Sequence, residues 1–268
     1  MRAVLLVARH VFKDSVRDRV LYGIGAFAVL LIAAAYLIGQ LTAGQDVKII
    51  QDLGLAAISL FGLFIAIFIG IGLVWKELDR RSVYAVLAKP VGRPVFVLGK
   101  YVGLLLTLLV NVALMSVAYY VVLAVVASTT PVEARAGWET EATSPRLLVA
   151  VVLIYAELAV VTAMALFFST FSSPFLSAAL TLGLWVAGQF VGELRHLGAA
   201  IESPVAGAMG AAFARVLPDF ARLDVKAAVI HGQIVSPAYV GGSMAYAAIY
   251  AAIFLIGSVV VFTRRDLK

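Results

Sequence analysis

The chain has 268 residues, 63% of them hydrophobic and only 13% charged, with a mean hydropathy of +1.04. Soluble domains run nearer about 45–50% apolar and about 25% charged, so an apolar surplus of this size needs lipid as its solvent and excludes an ordinary soluble domain. The net charge of +6 does not indicate nucleic acid, because the basic residues form no single stripe, and the absence of cysteine excludes disulfides and thiolate metal sites.

Residues 2–19 have the pattern of an amphipathic helix lying on the inner membrane face. Leu5, Ala8, Phe12 and Val16 fall on one side at helical spacing, and Arg2, Arg9, Lys13 and Arg17 on another, where they can meet anionic headgroups. Such a segment is either a topological anchor or an elbow helix that braces a partner. The first apolar run, 20–40, is long enough to span and reads as a retained signal anchor.

Five further runs follow at 53–75, 98–126, 147–168, 175–192 and 238–262, so the expected fold is all-α: one transmembrane domain over 1–268 with six spanning helices. The third run is long enough to tilt or to project beyond the bilayer, and the fifth is short and ends in a polar turn. Fourteen of the 21 Lys and Arg residues lie in the N-terminal segment, in the connection after the second span and at the C-terminus. That bias places both termini in the cytoplasm of a cell whose inner (plasma) membrane holds the chain. Residues 193–237 then form an extracytoplasmic loop. In it Pro218 should end a helix rich in small residues, and Asp224 can cap a short new one.

The connection between spans two and three, KELDRRSVYAVLAKPVGRPVFVLGK at 76–100, holds the densest charge. Glu77 to Ala88 fits a short helix with an i, i+4 pair of Glu77 and Arg81 and an apolar side of Val83, Val86 and Leu87. Lys89-Pro90 ends it, Gly92 allows a turn, and Pro94 restarts helix in a first-turn position.

No catalytic constellation emerges. The nearest approach to a phosphate-cradling loop, GRPVFVLGKY, has the wrong glycine spacing and carries Tyr101 where a magnesium-binding hydroxyl belongs. None of His10, His196 and His231 lies in a predicted span, as a membrane serine hydrolase would want. Glu193, His196, His231, Asp219 and Asp224 read as satisfied or solvated loop residues rather than metal ligands. No cofactor or metal is expected. Glu157, at the middle of span four in VVLIYAELAVVTAMAL, is the anomaly. A carboxylate there costs several kcal/mol unless it is protonated, paired or wetted, so it is either a functional group or a carboxyl hydrogen-bonded to a neighbouring helix. Asn111 and Gln189 are the candidate partners; alone they read as interhelical glue.

Four motifs in order resemble the membrane subunits of type-2 ATP-binding-cassette transporters: KELDRR at 76–81 with LAKPVGR at 87–93 and LGK at 98–100, ALFFST at 165–170, LPDFARLDVK at 217–226 and FTRRDL at 262–267. The chain is also similar to the group linked to nitrous-oxide-reductase maturation and gliding motility, with Gly188-Gln189 where that group often has Gly-His. The resemblance implies a permease without chemistry of its own. It further implies that 76–97 is a coupling segment docking into a separate cytoplasmic ATPase through Glu77, Arg80, Arg81, Tyr84, Leu87 and Pro90. It also implies pairing with a second copy or a paralogue, and export or force transmission. Two other readings stay open: a proton-coupled secondary transporter using Glu157, and a membrane-embedded enzyme using Glu157 or Glu193, His196 and His231.

Overall fold

A computed structural model of the protein describes residues 2–15, 25–26, 29–30, 32–34, 46–79, 92–135, 138, 140–193 and 204–264. Among these residues all regular structure is helical: α1 (Arg2–Ser15), α2 (Asp46–Asp79), α3 (Arg93–Thr129), α4 (Val132–Arg135), α5 (Leu147–Ser169), α6 (Pro174–Gln189), α7 (Pro204–Val216), α8 (Lys226–Ile230) and α9 (Pro237–Arg264), with a 3-10 turn at Phe220–Leu223. Four of them contain stretches long and apolar enough to cross a bilayer: Val47–Gly72, Pro94–Thr129, Leu147–Ser169 and Pro237–Thr263. The predicted span at 20–40 lies largely outside the described residues. The predicted span at 175–192 is the 16-residue α6, whose length of about 24 Å falls short of a hydrocarbon core of about 30 Å.

α5 is the centre of the bundle, packed against α2, α3, α6 and α9. Glu157 and Thr162 aside, it is apolar on nearly every face, as a mostly buried helix must be, with Leu148 and Val152 left exposed near its start. α3 and α9 bury one side only, and α3 turns a stripe of Leu106, Leu109, Leu114, Val117 and Val121 outward. At 37 residues α3 is about 55 Å long and overshoots the bilayer, as its sequence led us to expect. α2 runs through Trp75 and on to Asp79 without interruption. A separate helix starting at Glu77 was expected, but the first residues of KELDRR simply continue α2, since nothing in Lys76 to Asp79 breaks helix. Gly92 does form the next N-cap, with Pro94 in the first turn of α3.

Close backbone approach organises this packing. Gly54, Gly62 and Gly70 lie eight residues apart on α2 and face Tyr119, Leu158 and Ala165. A Cβ on Gly70 would sit 2.6 Å from the Ala165 Cβ, too near for any real contact. On α3, Gly99 and Gly103 receive Val7, Ala8 and Val11 of α1. In lipid, where apolar helices gain little by leaving an apolar solvent, such small-residue seams supply the van der Waals contact that holds helices together. Tyrosine hydroxyls bolt the same neighbours: Tyr101 to the Ala159 carbonyl at 3.1 Å, Tyr155 to Leu105 at 3.0 Å, Tyr120 to Ser144 at 3.2 Å and Tyr119 to Gln51 at 3.2 Å.

The seating of α1 corrects one expectation. Ala8 and Val11 are buried against α3, whereas Leu5 and Leu6 are 65% and 68% exposed. The helix therefore has two apolar faces, one for α3 and one turned outward, with Arg9, His10 and Lys13 also exposed. Gly70→Ala should lower stability by about 1–3 kcal/mol, as overpacking does. Gly72→Ala, whose methyl meets nothing within 4 Å, should not lower it. Thermal unfolding of the two variants in mild detergent checks this.

Candidate functional site

Glu157 sits near the middle of α5 and is 2% exposed. Two donors from α6 reach it. The Trp185 indole Nε1 donates to Oε1 at 2.7 Å, and the Gln189 amide Nε2 donates to the same oxygen at 2.9 Å. Trp185 and Gln189 are four residues apart, so one turn of α6 presents both side chains to the carboxylate. Gln189 is thus one of the two partners expected for Glu157. Asn111 is not the other: its amide donates back to the Thr107 carbonyl at 2.8 Å, and its oxygen lies beside Gly25. Trp185 had no place in the sequence reading, because an aromatic residue in an apolar run looks like filler. The signal that could have found it is its i, i+4 spacing from Gln189.

Residues 217–230, part of the expected extracytoplasmic loop, are embedded beside this cluster: Phe220, Leu223, Val225, Val229 and Ile230 are all buried and pack on α2, α5 and α6. Their apolar side chains need a core, and the short α6 leaves one open. Gly188, next to the end of α6, lets this segment in: a Cβ there would lie 2.5 Å from the Phe220 ring and 2.6 Å from the Pro218 carbonyl oxygen. Pro218 does end α7, and Asp224 accepts the Lys226 backbone N–H at 3.0 Å, although Val225 is the residue in the cap position.

A ladder from α9 holds the segment on its other side. Tyr239 donates to the Arg222 carbonyl at 2.9 Å, the Asp219 N–H donates to the Tyr246 hydroxyl at 2.6 Å, and Tyr250 donates to the Leu217 carbonyl at 3.2 Å. Arg222 pairs with Asp219 at 3.2 Å and lies over the Tyr246 ring at 5.4 Å. At the far end Arg146 Nη1 donates to the Gly232 carbonyl at 2.7 Å. Lys226 pairs with Asp224 at 3.2 Å. The acids once weighed as metal ligands, Asp219 and Asp224, therefore face basic partners. Among the described residues no three His, Cys, Asp or Glu side chains gather for a metal ion.

The model of one family, ABC-2 family transporter protein, matches residues 5–267, almost the whole chain. The chain belongs to this family. It is therefore a multi-pass membrane protein and a permease component of an ATP-binding-cassette transporter, the membrane part rather than the ATPase. A search of curated proteins found no match. In this ABC-2 permease Arg80, Arg81, Tyr84, Leu87 and Pro90 of the expected coupling segment lie outside the described residues. Glu77 falls in the final turns of α2.

Two outcomes follow for the cluster. Trp185→Phe should destabilise the ABC-2 permease by about 1–3 kcal/mol, because a buried acceptor loses a donor. The same change made in a Glu157→Leu background should cost much less, a non-additivity that a double-mutant cycle of unfolding midpoints reads directly. Gly188→Ala should expose the 217–230 segment, seen as faster limited proteolysis within it.

Proposed function

We propose that this chain is the transmembrane half of an ATP-driven exporter, powered by a separate cytoplasmic ATPase that docks on residues 76–97. The observation that carries the reading is the family match over residues 5–267. In this reading both termini are cytoplasmic, as the Lys and Arg bias favours, the protein resides in the inner (plasma) membrane, and six segments cross it, the short α6 completing its crossing with the residues that follow it. Two copies, or this chain and a paralogue, work with two ATPase subunits. Movement of the ATPases is delivered at the end of α2 and the start of α3, where Glu77, Arg80, Arg81, Tyr84, Leu87 and Pro90 make the contact.

Helix geometry supports such a lever. α2 continues seven residues past its spanning stretch, from Gly72 to Asp79, and α3 begins at Arg93 and runs unbroken to Thr129. A push at 80–92 is therefore transmitted along two continuous rods into the bundle. α1 is clamped on the same stretch of α3 by Gly99 and Gly103, so the interfacial helix would move with it. Glu157, with Gln189 and Asn111, belongs to the polar interior along which cargo or force passes. Gln189 occupies the position where the group linked to nitrous-oxide-reductase maturation and gliding motility often has histidine, and we place the chain beside that group. A proton-driven transporter working through Glu157 is the alternative, and the family membership favours the ATPase-driven reading.

The docking role is tested by Glu77→Ala combined with Arg81→Ala. Retention of the ATPase on the extracted permease should weaken about tenfold or more, the scale of losing an interface anchor, while membrane insertion is unchanged. Normal complex yield with normal ATP turnover would remove the docking segment from this position.

A further inference from the structure

Helix α7 stands apart from the bundle. Among the described residues it is not one of the helices packed on α2, α3, α5, α6 or α9. Val205, Ala208, Ala212 and Val216 recur along it at helical spacing, with Phe213 beside them, and all are exposed. In water, Val205, Phe213 and Val216, at 67%, 53% and 76% exposure, would form the kind of apolar patch that marks a contact surface. The bonds at the end of α7 say what covers it. The Leu217 carbonyl, one residue past the helix, accepts the Tyr250 hydroxyl at 3.2 Å. Tyr250 lies midway along the spanning stretch Pro237–Thr263, about 20 Å along α9 from either end. Asp219 and Arg222 bond Tyr246 and Tyr239 in turn, so the chain climbs from that level back toward the Pro237 end. A second marker agrees. Pro218 and Phe220 close on Gly188, whose neighbour Gln189 reaches Glu157 near the middle of α5. α7 therefore ends near the mid-depth of the bundle.

We propose that α7 is a re-entrant helix that descends from the Pro237 side into the bilayer and ends near mid-depth at Val216. The partner of its Val205, Phe213 and Val216 face is the hydrocarbon of that leaflet. A helix bonds its own backbone and can face lipid, whereas irregular chain at membrane depth must be buried in protein. The segment obeys both halves of that rule: Pro218, Asp219 and Phe220 are buried, and tyrosines hold the carbonyls of Leu217 and Arg222. The 13 residues of α7 give about 20 Å, enough to cross half of a hydrocarbon core of about 30 Å. The face is also continuous with the lipid-facing side of α9, where Ile249 and Ile253 flank Tyr250 and are 60% and 54% exposed. Arg215, the one charge of α7, leans back toward the helix start, as helical side chains do, and so toward the surface. Which leaflet this is, and the start of α7 at its surface, rest on the six crossings of the permease reading; the depth rests on the bonds alone. Seated on Gly188, the buried end gives that leaflet a direct mechanical hold on the segment beside Glu157.

The chain contains no cysteine, so single-cysteine variants carry one nitroxide label each. Val205→Cys, Phe213→Cys and Val216→Cys are labelled in the full-length chain, reconstituted in phosphatidylcholine nanodiscs without any ATPase. Ile249→Cys on α9 is the lipid control, and Ile234→Cys, 80% exposed before the start of α9, is the water control. Electron paramagnetic resonance reads collision of each label with oxygen, which concentrates in hydrocarbon, and with a water-soluble nickel chelate, which stays out of it. Labels at 213 and 216 should favour oxygen over nickel severalfold, as at 249; the preference should fall toward 205 and reverse at 234. Nickel reaching 213 and 216 as freely as 234 would put α7 in water and overturn the proposal. Exclusion of both reagents at 213 and 216 would overturn it equally, by showing a protein cover such as a second copy. Ala208→Cys and Ala212→Cys, exposed on the same face, give the same reading where a larger residue proves necessary for folding. Loss of ATPase association with 213 and 216 in hydrocarbon would remove the permease reading alone, and the converse result would remove the re-entrant helix alone.

Discussion

Helices immersed in hydrocarbon gain little hydrophobic free energy by meeting, so this bundle depends on how closely its backbones can approach. The glycines of α2 at 54, 62 and 70 answer that constraint along one face, bringing α2 onto Tyr119, Leu158 and Ala165. Because α5 is held from that side by contact rather than by polarity, it can be apolar there and still occupy one defined position. The tyrosine hydroxyls that reach carbonyls on neighbouring helices add direction to a packing that dispersion alone would leave free to slide.

The depth of Glu157 follows from that placement. With α5 at the centre, its one carboxylate is fixed among helices rather than at an interface, and the face of α6 turned toward it brings Trp185 and Gln189 to meet it. A short α6 in turn leaves a gap at one end of the bundle, which residues 217–230 fill with Phe220, Leu223 and Val229. The tyrosines of α9 then tie this segment to a helix that also packs on α5. Buried acid, short helix, embedded segment and terminal helix form one mechanical unit. Displacement of α5 or α9 is therefore felt at the acid and at the segment together.

Much of the architecture was legible because apolar runs of spanning length are the strongest sequence signal a membrane protein offers. α5 and α9 begin and end within two residues of where their apolar runs do, and the first turn of α3 is where Gly92 and Pro94 put it. Errors arose where hydropathy is ambiguous. α2 outran its apolar stretch, since Lys76, Glu77 and Asp79 are polar but compatible with helix. α1 was given a single apolar side because a helical pattern cannot say which of two faces meets protein and which meets lipid. The segment at 217–230 mixes Asp219, Arg222, Asp224 and Lys226 with apolar residues, so the burial of Phe220, Leu223 and Val229 could not be read from hydropathy. Glu157 and Gln189 stood out as polar residues in an apolar run, whereas Trp185 did not, because only its edge is polar.

In the proposed function the chain transmits force from a separate ATPase and has no energy source of its own. The most direct test is gentle extraction of the full-length protein from its native membrane, followed by identification of the soluble proteins that remain bound and measurement of their ATP hydrolysis. The account predicts a cytoplasmic P-loop ATPase in stoichiometric amount, with nucleotide turnover that responds to its release from the permease. Recovery of the folded chain free of any ATPase, with transport persisting in vesicles that hold no ATP, would contradict it.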